Sequence, residues 1–255
     1  MIRIGITEAG DPSLKYSWED RLDEVNGAIL ITKNLTDKLM ERILSHQDTP
    51  MILHISCTGY GHTAIEPNIP YVDQTIHQVK QLIQKGFDPA RLVLRIDPIL
   101  PTITGIEIFE HVLSEFQREV PEIQRVRISV LDYYPHVQKR FEQAGLKMEF
   151  PFSDFFTRLN QKISMLKLRY PNLSFESCAE PRLKETNQIG CISNMDLERM
   201  GLPLQDERFR KNQRKDCGCL AGKTELLSYY PWQTGYNYCY GCLYCYWKTK
   251  KDKAG

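Results

Sequence analysis

Met51-Ile-Leu-His-Ile-Ser56 is a short, mostly apolar run with two β-branched residues that stops on Cys57-Thr58 and is followed, after a glycine-containing loop, by the amphipathic stretch Val72 to Lys85. A run of that length and composition reads as a strand, and the longer 3.6-periodic stretch behind it as a helix. The same unit recurs on both sides. Strands are expected at Ala28 to Thr32, Arg91 to Ile96, Val126 to Leu131 and Leu173 to Ser177, with a weaker one at Ile2 to Ile6. Helices are expected at Thr36 to Ser45, Ile106 to Glu119, His136 to Ala144 and Phe155 to Tyr170, and Gly86 and Gly145 stand where helix C-caps belong. Alternating strand and helix implies βα units around a parallel sheet. There is no Gly-x-Gly-x-x-Gly and no phosphate-binding loop, which counts against a nucleotide-binding doubly wound sheet. The expected fold is α/β, a full or partial TIM-like (β/α) barrel.

Each strand run ends on reactive residue types: Lys33-Asn34, Cys57-Thr58, Asp97, Asp132, Cys178 and Glu180. In a parallel α/β fold the carboxyl ends of the strands share one face, and sites are built there. Capping of the next helix accounts equally well for Asn34 and Asp132, but not for Cys57 or Cys178, since Cys is not a capping residue. Asp97, Asp132, Glu176 and Glu180 can serve as acid/base or substrate-binding groups; a buried partner such as Arg95 makes them structural instead. Among the six histidines no metal-binding pair is spaced. His54 reads as a core histidine, and His62, in the loop Thr58 to Thr63, is the best placed to reach a site.

Past Pro181 the alternation fades. Residues 1–180 read as the barrel-like body and residues 181–255 as a Cys-rich segment packed on the same domain, with a short helix near Met195 to Met200. With 33 Lys+Arg against 32 Asp+Glu the chain carries no net field to attract nucleic acid or an anionic membrane. No apolar stretch reaches the ~18 residues of a membrane span, and Met1-Ile-Arg-Ile-Gly-Ile6 is too short for a signal peptide, so a cytoplasmic location is expected. Reduced thiols are then the rule. Seven of the eight cysteines fall between Cys178 and Cys245. Such crowding favours metal over scattered core cysteines.

Cys239-Tyr-Gly-Cys242-Leu-Tyr-Cys245-Tyr246-Trp247 places three thiols at a spacing of three. Three thiolates can hold one iron–sulfur cluster or one metal ion and leave a coordination position open for chemistry. Spacing alone does not separate iron–sulfur from zinc. Cys178, Cys191, Cys217 and Cys219 suffice for a second, closed site, a structural zinc or a second [4Fe–4S] cluster; the alternative is that Cys178 and Cys191 are small core residues.

Together these motifs give the chain its resemblance to a family. Ile31-Thr-Lys-Asn34, Thr58-Gly-Tyr-Gly61, Ile65-Glu-Pro-Asn-Ile-Pro70, Arg95-Ile-Asp-Pro-Ile-Leu100, Ser129-Val-Leu-Asp-Tyr133, Cys178-Ala-Glu180, Gly190-Cys191-Ile192, Lys211-Asn-Gln-Arg214, Cys217-Gly-Cys219 and Gly241-Cys-Leu-Tyr-Cys-Tyr246 resemble, in order, the bacterial and phage proteins of domain-of-unknown-function family 1848. That family looks like a relative of the radical S-adenosylmethionine enzymes, with spore photoproduct lyase among the nearer cousins. Those enzymes carry a Cys-x3-Cys-x2-Cys loop after the first strand of a partial barrel. Cys242-Leu-Tyr-Cys245 fits the second half of that motif. The first half departs, because Tyr238 holds the expected position and the cysteine is Cys239. The motif also lies late in the chain, which a permuted barrel explains.

The resemblance implies a [4Fe–4S] cluster on Cys239, Cys242 and Cys245 and S-adenosylmethionine on the open iron. A 5′-deoxyadenosyl radical would then abstract hydrogen from a substrate. It further implies an electron donor such as flavodoxin or ferredoxin, and tilts the substrate toward nucleic acid or nucleotide. Asp97, Glu180 and Tyr244 are the candidate catalytic residues; Asn34, Thr58, Arg95 and Tyr246 are the candidates for holding cosubstrate or substrate. Two other classes stay open: a zinc-stabilised nucleic-acid-binding or interaction protein without turnover, and an iron–sulfur electron carrier. Three cysteines located away from the carboxyl ends of the strands would exclude the radical-enzyme arrangement.

Overall fold

The computed structural model describes residues 2–147, 150–208, 218–227 and 239–247. Eight strands form one sheet: β1 (Arg3–Ile6), β2 (Gly27–Thr32), β3 (Met51–Ser56), β4 (Leu92–Ile99), β5 (Arg125–Val130), β6 (Ser174–Ser177), β7 (Asn187–Gln188) and β8 (Gly222–Glu225). The helices are α1 (Asp37–Ser45), α2 (Val72–Gln84), α3 (Ile103–Glu119), α4 (Pro135–Gln143), α5 (Phe155–Arg169) and α6 (Asn194–Arg199). The strand order is β7-β6-β5-β4-β3-β2-β1-β8, and every pairing is parallel. Each strand from β1 to β7 therefore lies beside its neighbour in sequence, as in a (β/α) barrel. Among the described residues β7 and β8 do not pair, so the sheet stays open at that seam.

Side-chain alternation sorts the core into two layers. From β3, Met51, Leu53 and Ile55 point outward into a core shared with Leu39, Val79, Phe109 and Phe116 of the helices. Ile52 points inward with Ile4, Ile6, Ile29, Val93, Cys191 and Cys219. His54 and Ser56 follow Ile52 at the two-residue period of a strand and share its face. The helices begin where short polar side chains can cap them. Thr36 accepts from Leu39 N at 3.2 Å and Thr102 from Gly105 N at 2.8 Å. Gly86 and Gly145 follow α2 and α4 at positive φ, where a residue without Cβ is favoured.

The inner face also holds a buried ion network. Arg125 Nε donates to Glu176 Oε1 and Arg127 Nη2 to Glu176 Oε2, both at 2.7 Å; Arg125 Nη2 lies 2.8 Å from Asp196 Oδ1. Asp196 comes from α6, where it also completes the capping box with Ser193. Balanced pairing is what allows four charges to sit out of water.

Several boundaries differ from the sequence reading, those of β4 and α3 the most. β4 continues past Asp97-Pro98 to Ile99, with a shift of register against β5 between Ile96 and Ile99. α3 starts at Ile103 rather than Ile106, because Thr102 supplies its cap. The expected helix near Met195 starts at Asn194, one residue past its cap Ser193. β7 and β8 carry no apolar run and are strands by pairing alone: Ser177 pairs with Gln188, and Ile4 with Lys223.

Candidate metal centre at the carboxyl ends of the strands

The carboxyl ends of the strands surround a cavity of about 270 Å³. Its wall includes Lys33 after β2, Ser56 at the end of β3, Asp97 in β4, Ser129 in β5, and Cys178 and Glu180 after β6; the loop bearing Cys239, Cys242 and Cys245 covers it. The loop is tied to α4 and to the segments that follow β1 and β3. Leu243 N donates to Ile65 O at 3.1 Å, Asn68 Nδ2 to Tyr240 O at 3.2 Å, Arg140 Nη2 to Trp247 O at 2.6 Å, and the Trp247 indole to Glu8 O at 3.1 Å. Tyr240 reaches Ser13 with its hydroxyl at 2.7 Å, and Ser13 in turn donates to Asp11.

Beneath Cys242 lies a knot of polar groups. Lys33 Nζ donates to Glu66 Oε1 at 2.8 Å and to the Tyr244 hydroxyl at 2.6 Å. Tyr244 donates to Glu66 Oε1, and Thr58 donates to Glu66 Oε2 at 2.6 Å. Cys242 Sγ stands 3.9 Å from Glu66 Oε1. Burial works to raise the Glu66 carboxyl, but the Lys33 ammonium and these donors outweigh it and hold it below the ordinary value. Burial pushes the Cys242 thiol up to about 12, and raises Cys239 and Cys245 as well.

On the opposite wall, Cys191 Sγ lies 3.9 Å from Cys178 Sγ. Hydrogen bonds with Cys178 and Cys219 hold the Cys191 thiol well below its usual range against its burial, helped by the positive charges of Lys223 and Arg95. Asp97 pairs with Arg95 and accepts from the Ser129 hydroxyl. These partners keep its carboxyl low although burial works the other way. Arg95 Nε and Nη1 are buried without a partner. Glu180 accepts from Val130 N at 2.8 Å; burial first, then Asp132 and Asp97 nearby, push it up to about 7.

Asp97, Glu180, Tyr244, Arg95, Tyr246, Cys239, Cys242, Cys245, Cys178 and Cys191 are thus gathered around one cavity. Asn34 and Thr58 are not in its lining. Asn34 accepts from Gln78 Nε2 at 2.9 Å and bonds with Tyr240 behind the loop, while Thr58 supports Glu66. Cys219 sits deeper, fully buried against Cys191. Cys217 lies outside the described residues, as does Tyr238. Cys57 is buried in the outer core. Among the described residues no three His, Cys, Asp or Glu side chains already surround one metal-sized point.

Sequence reasoning marked Lys33 only as a reactive strand-end residue, without a role, and passed over Glu66, although both lie in segments that carry the family resemblance. It also passed over Glu8, which accepts from Lys223 Nζ at 2.8 Å and lines the cavity. No periodicity marks these residues, since their partners are distant in sequence.

A parallel β/α sheet with a cysteine-bearing loop over its strand ends defines the structural class. The chain belongs to the family described as "Domain of unknown function (DUF1848)", whose model matches residues 9–247. No curated protein gives a match. Among solved structures, a mannotriose complex of a β-mannanase from Thermomonospora fusca aligns at 11% identity and a TM-score of 0.42, covering 84% of this chain and 71% of that one. A broad-specificity GH5-4 endoglucanase from Clostridium longisporum aligns at 10% identity and a TM-score of 0.28, covering 79% and 78%. Likeness at that level carries nothing about activity.

Proposed function

We propose that the protein is an iron–sulfur, S-adenosylmethionine-dependent radical enzyme. The observation that carries this reading is the position of Cys239, Cys242 and Cys245, which line the cavity at the carboxyl ends of an all-parallel sheet. The donor set fits. Thiolates are the ligands of iron–sulfur clusters, and three of them leave one iron open. When bound, the reduced cluster with S-adenosylmethionine supplies a 5′-deoxyadenosyl radical for hydrogen abstraction from a substrate carbon.

The chain's own residues bind, orient and shield. Lys33 places a fixed positive charge beside Cys242, where a thiolate-bound cluster is negative. Arg95, with two buried donors still unpaired, is suited to a carboxylate or another anionic group in the cavity. Glu180, which accepts from the Val130 amide, presents a carboxyl to the same space for a polar group of the guest. Tyr246 and Trp247 add aromatic surface to the cavity wall, which suits a shielded site. The family kinship favours a nucleotide or nucleic-acid substrate, an electron donor such as flavodoxin or ferredoxin, and a cytoplasmic setting. No helix among the described residues is long and apolar enough to cross a membrane.

The test is an iron and sulfide count on anaerobically purified protein, followed by electron paramagnetic resonance of the reduced sample with and without S-adenosylmethionine. About four irons and four sulfides per chain, with a signal that changes on adding the cosubstrate, is the expected result. Iron and sulfide absent after cluster reconstitution, or a signal indifferent to S-adenosylmethionine, overturns the proposal.

A further inference from the structure

Two Gly-Cys steps meet at the open seam of the sheet. Gly190-Cys191 follows β7 and Gly218-Cys219 precedes β8, and β7 and β8 are the two edges. The segments touch backbone to backbone. A Cβ on Gly190 would run into Gly218 and Cys219, and one on Gly218 would come to 3.0 Å from the Gly190 nitrogen. Beside this contact Leu220 N donates to Ile192 O at 3.0 Å. The close approach brings Cys219 to Cys191, whose sulfur is 3.9 Å from that of Cys178 at the end of β6. Three thiols from three separate segments therefore collect where the sheet fails to close, and none forms a disulfide.

Core cysteines with no further role need only apolar neighbours. This trio packs against the apolar inner layer and has charged and polar company there as well. Arg127 Nη1 donates to Cys191 O at 3.1 Å, and Arg95 and Lys223 lie close enough to act on the Cys191 sulfur. His54, fully buried on the same inner face, has no partner at either ring nitrogen. Cationic neighbours suit a group that carries net negative charge, as a thiolate-bound metal does.

The spacing of the sulfurs separates the candidate metals. Thiolates on one tetrahedral zinc at about 2.3 Å stand about 3.8 Å apart, close to the 3.9 Å between Cys178 and Cys191. In a cubane cluster each thiolate binds a different iron, so the sulfurs are held farther apart. We infer that Cys178, Cys191 and Cys219 bind one zinc ion that fastens the two edges of the sheet together. The ion gathers the outer two sulfurs about the middle one, and a further donor completes its shell. The site is structural: it replaces, at the β7–β8 seam, the ladder hydrogen bonds that the other strands make. It does not rest on the chemistry proposed for Cys239, Cys242 and Cys245.

Elemental analysis of the full chain tests it. The unmodified protein should carry about one zinc per chain in addition to any iron. Cys191→Ser should lose the zinc and keep the iron and sulfide. The variant with Cys239, Cys242 and Cys245 all changed to Ser should lose iron and sulfide and keep the zinc. Zinc content unchanged in Cys191→Ser, or iron and sulfide lost in place of zinc, overturns the inference. If Cys191→Ser fails to fold, zinc-edge X-ray absorption on the unmodified chain decides: a sulfur shell at about 2.3 Å is expected, and a shell of nitrogen and oxygen alone overturns it. Chelating the zinc should speed amide exchange at residues 187–188 and 222–225, and unchanged exchange there overturns the structural role. Zinc present without iron would leave this site standing and sink the radical-enzyme reading.

Discussion

Lys33 is where the cysteine loop and the sheet meet, and Glu66 is the chief partner of its charge. Burial opposes the ammonium, while the Glu66 carboxylate together with Cys242 and Asp97 more than offsets that cost. Replacing Lys33 with Met leaves Glu66 buried and unpaired, a change that costs about 3–5 kcal/mol. Denaturant titration should show that loss. The double variant Lys33→Met/Glu66→Gln should recover part of it, because the stranded charge is gone. A second residue sets a pH response. Glu225 accepts from the backbone nitrogens of Glu8, Ala9 and Leu227, each at 3.0 Å. Burial, with Glu8 nearby, still pushes its carboxyl up to about 7 from an ordinary 4.5. The folded chain thus holds this proton more tightly than the unfolded chain. Its contribution is fully present at pH 4.5 and below and is lost as the pH rises through about 7, by no more than about 1.4 kcal/mol per pH unit in that window. Melting temperatures measured from pH 4.5 to 8 should show a smaller decline for Glu225→Gln than for the unmodified protein.

At the scale of elements, the seam depends on glycine. Gly190→Ala puts a methyl group into the Gly218–Cys219 backbone, so the strands must part. The expected outcome is faster amide exchange across Gly222 to Glu225, with α2 and α3 unaffected. The runs at β2, β3 and β5 could be read locally, because their causes lie within a few residues; the Thr102 cap, equally local, was passed over and the start of α3 was set too late. The end of β4 could not. Asp97-Pro98 reads as a strand end, since proline cannot donate to a ladder, yet Ile99 still accepts from Leu131 N at 3.0 Å across the next strand. β8 was equally hidden: Gly222-Lys-Thr-Glu has no apolar pattern, and only its pairing with β1 makes it a strand. The site divided the same way. Asp97, Glu180 and the cysteines were visible because strand ends and thiol spacings are local signals. Glu66 was not, because it sits in an irregular loop and gains its meaning from Lys33 and Tyr244.

For the whole molecule, stability and the cysteine loop are largely separate. The outer core packs α1, α2, α3 and α5 against the sheet without any contribution from the loop. Changing Cys239, Cys242 and Cys245 together to Ser should therefore leave the far-ultraviolet circular dichroism spectrum near that of the unmodified chain while abolishing bound iron. The loop's last described residue has a consequence of another kind. Trp247 lines the cavity with its indole fixed to the Glu8 carbonyl, whereas Trp18 is wholly enclosed in the outer core. A guest entering the cavity alters the surroundings of the first indole and leaves the second unchanged. The molecule thus carries a built-in fluorophore in the wall of its own site. Titrating S-adenosylmethionine against the intrinsic emission should give a saturable change that Trp247→Phe removes, an optical readout of occupancy that needs no added label and no turnover.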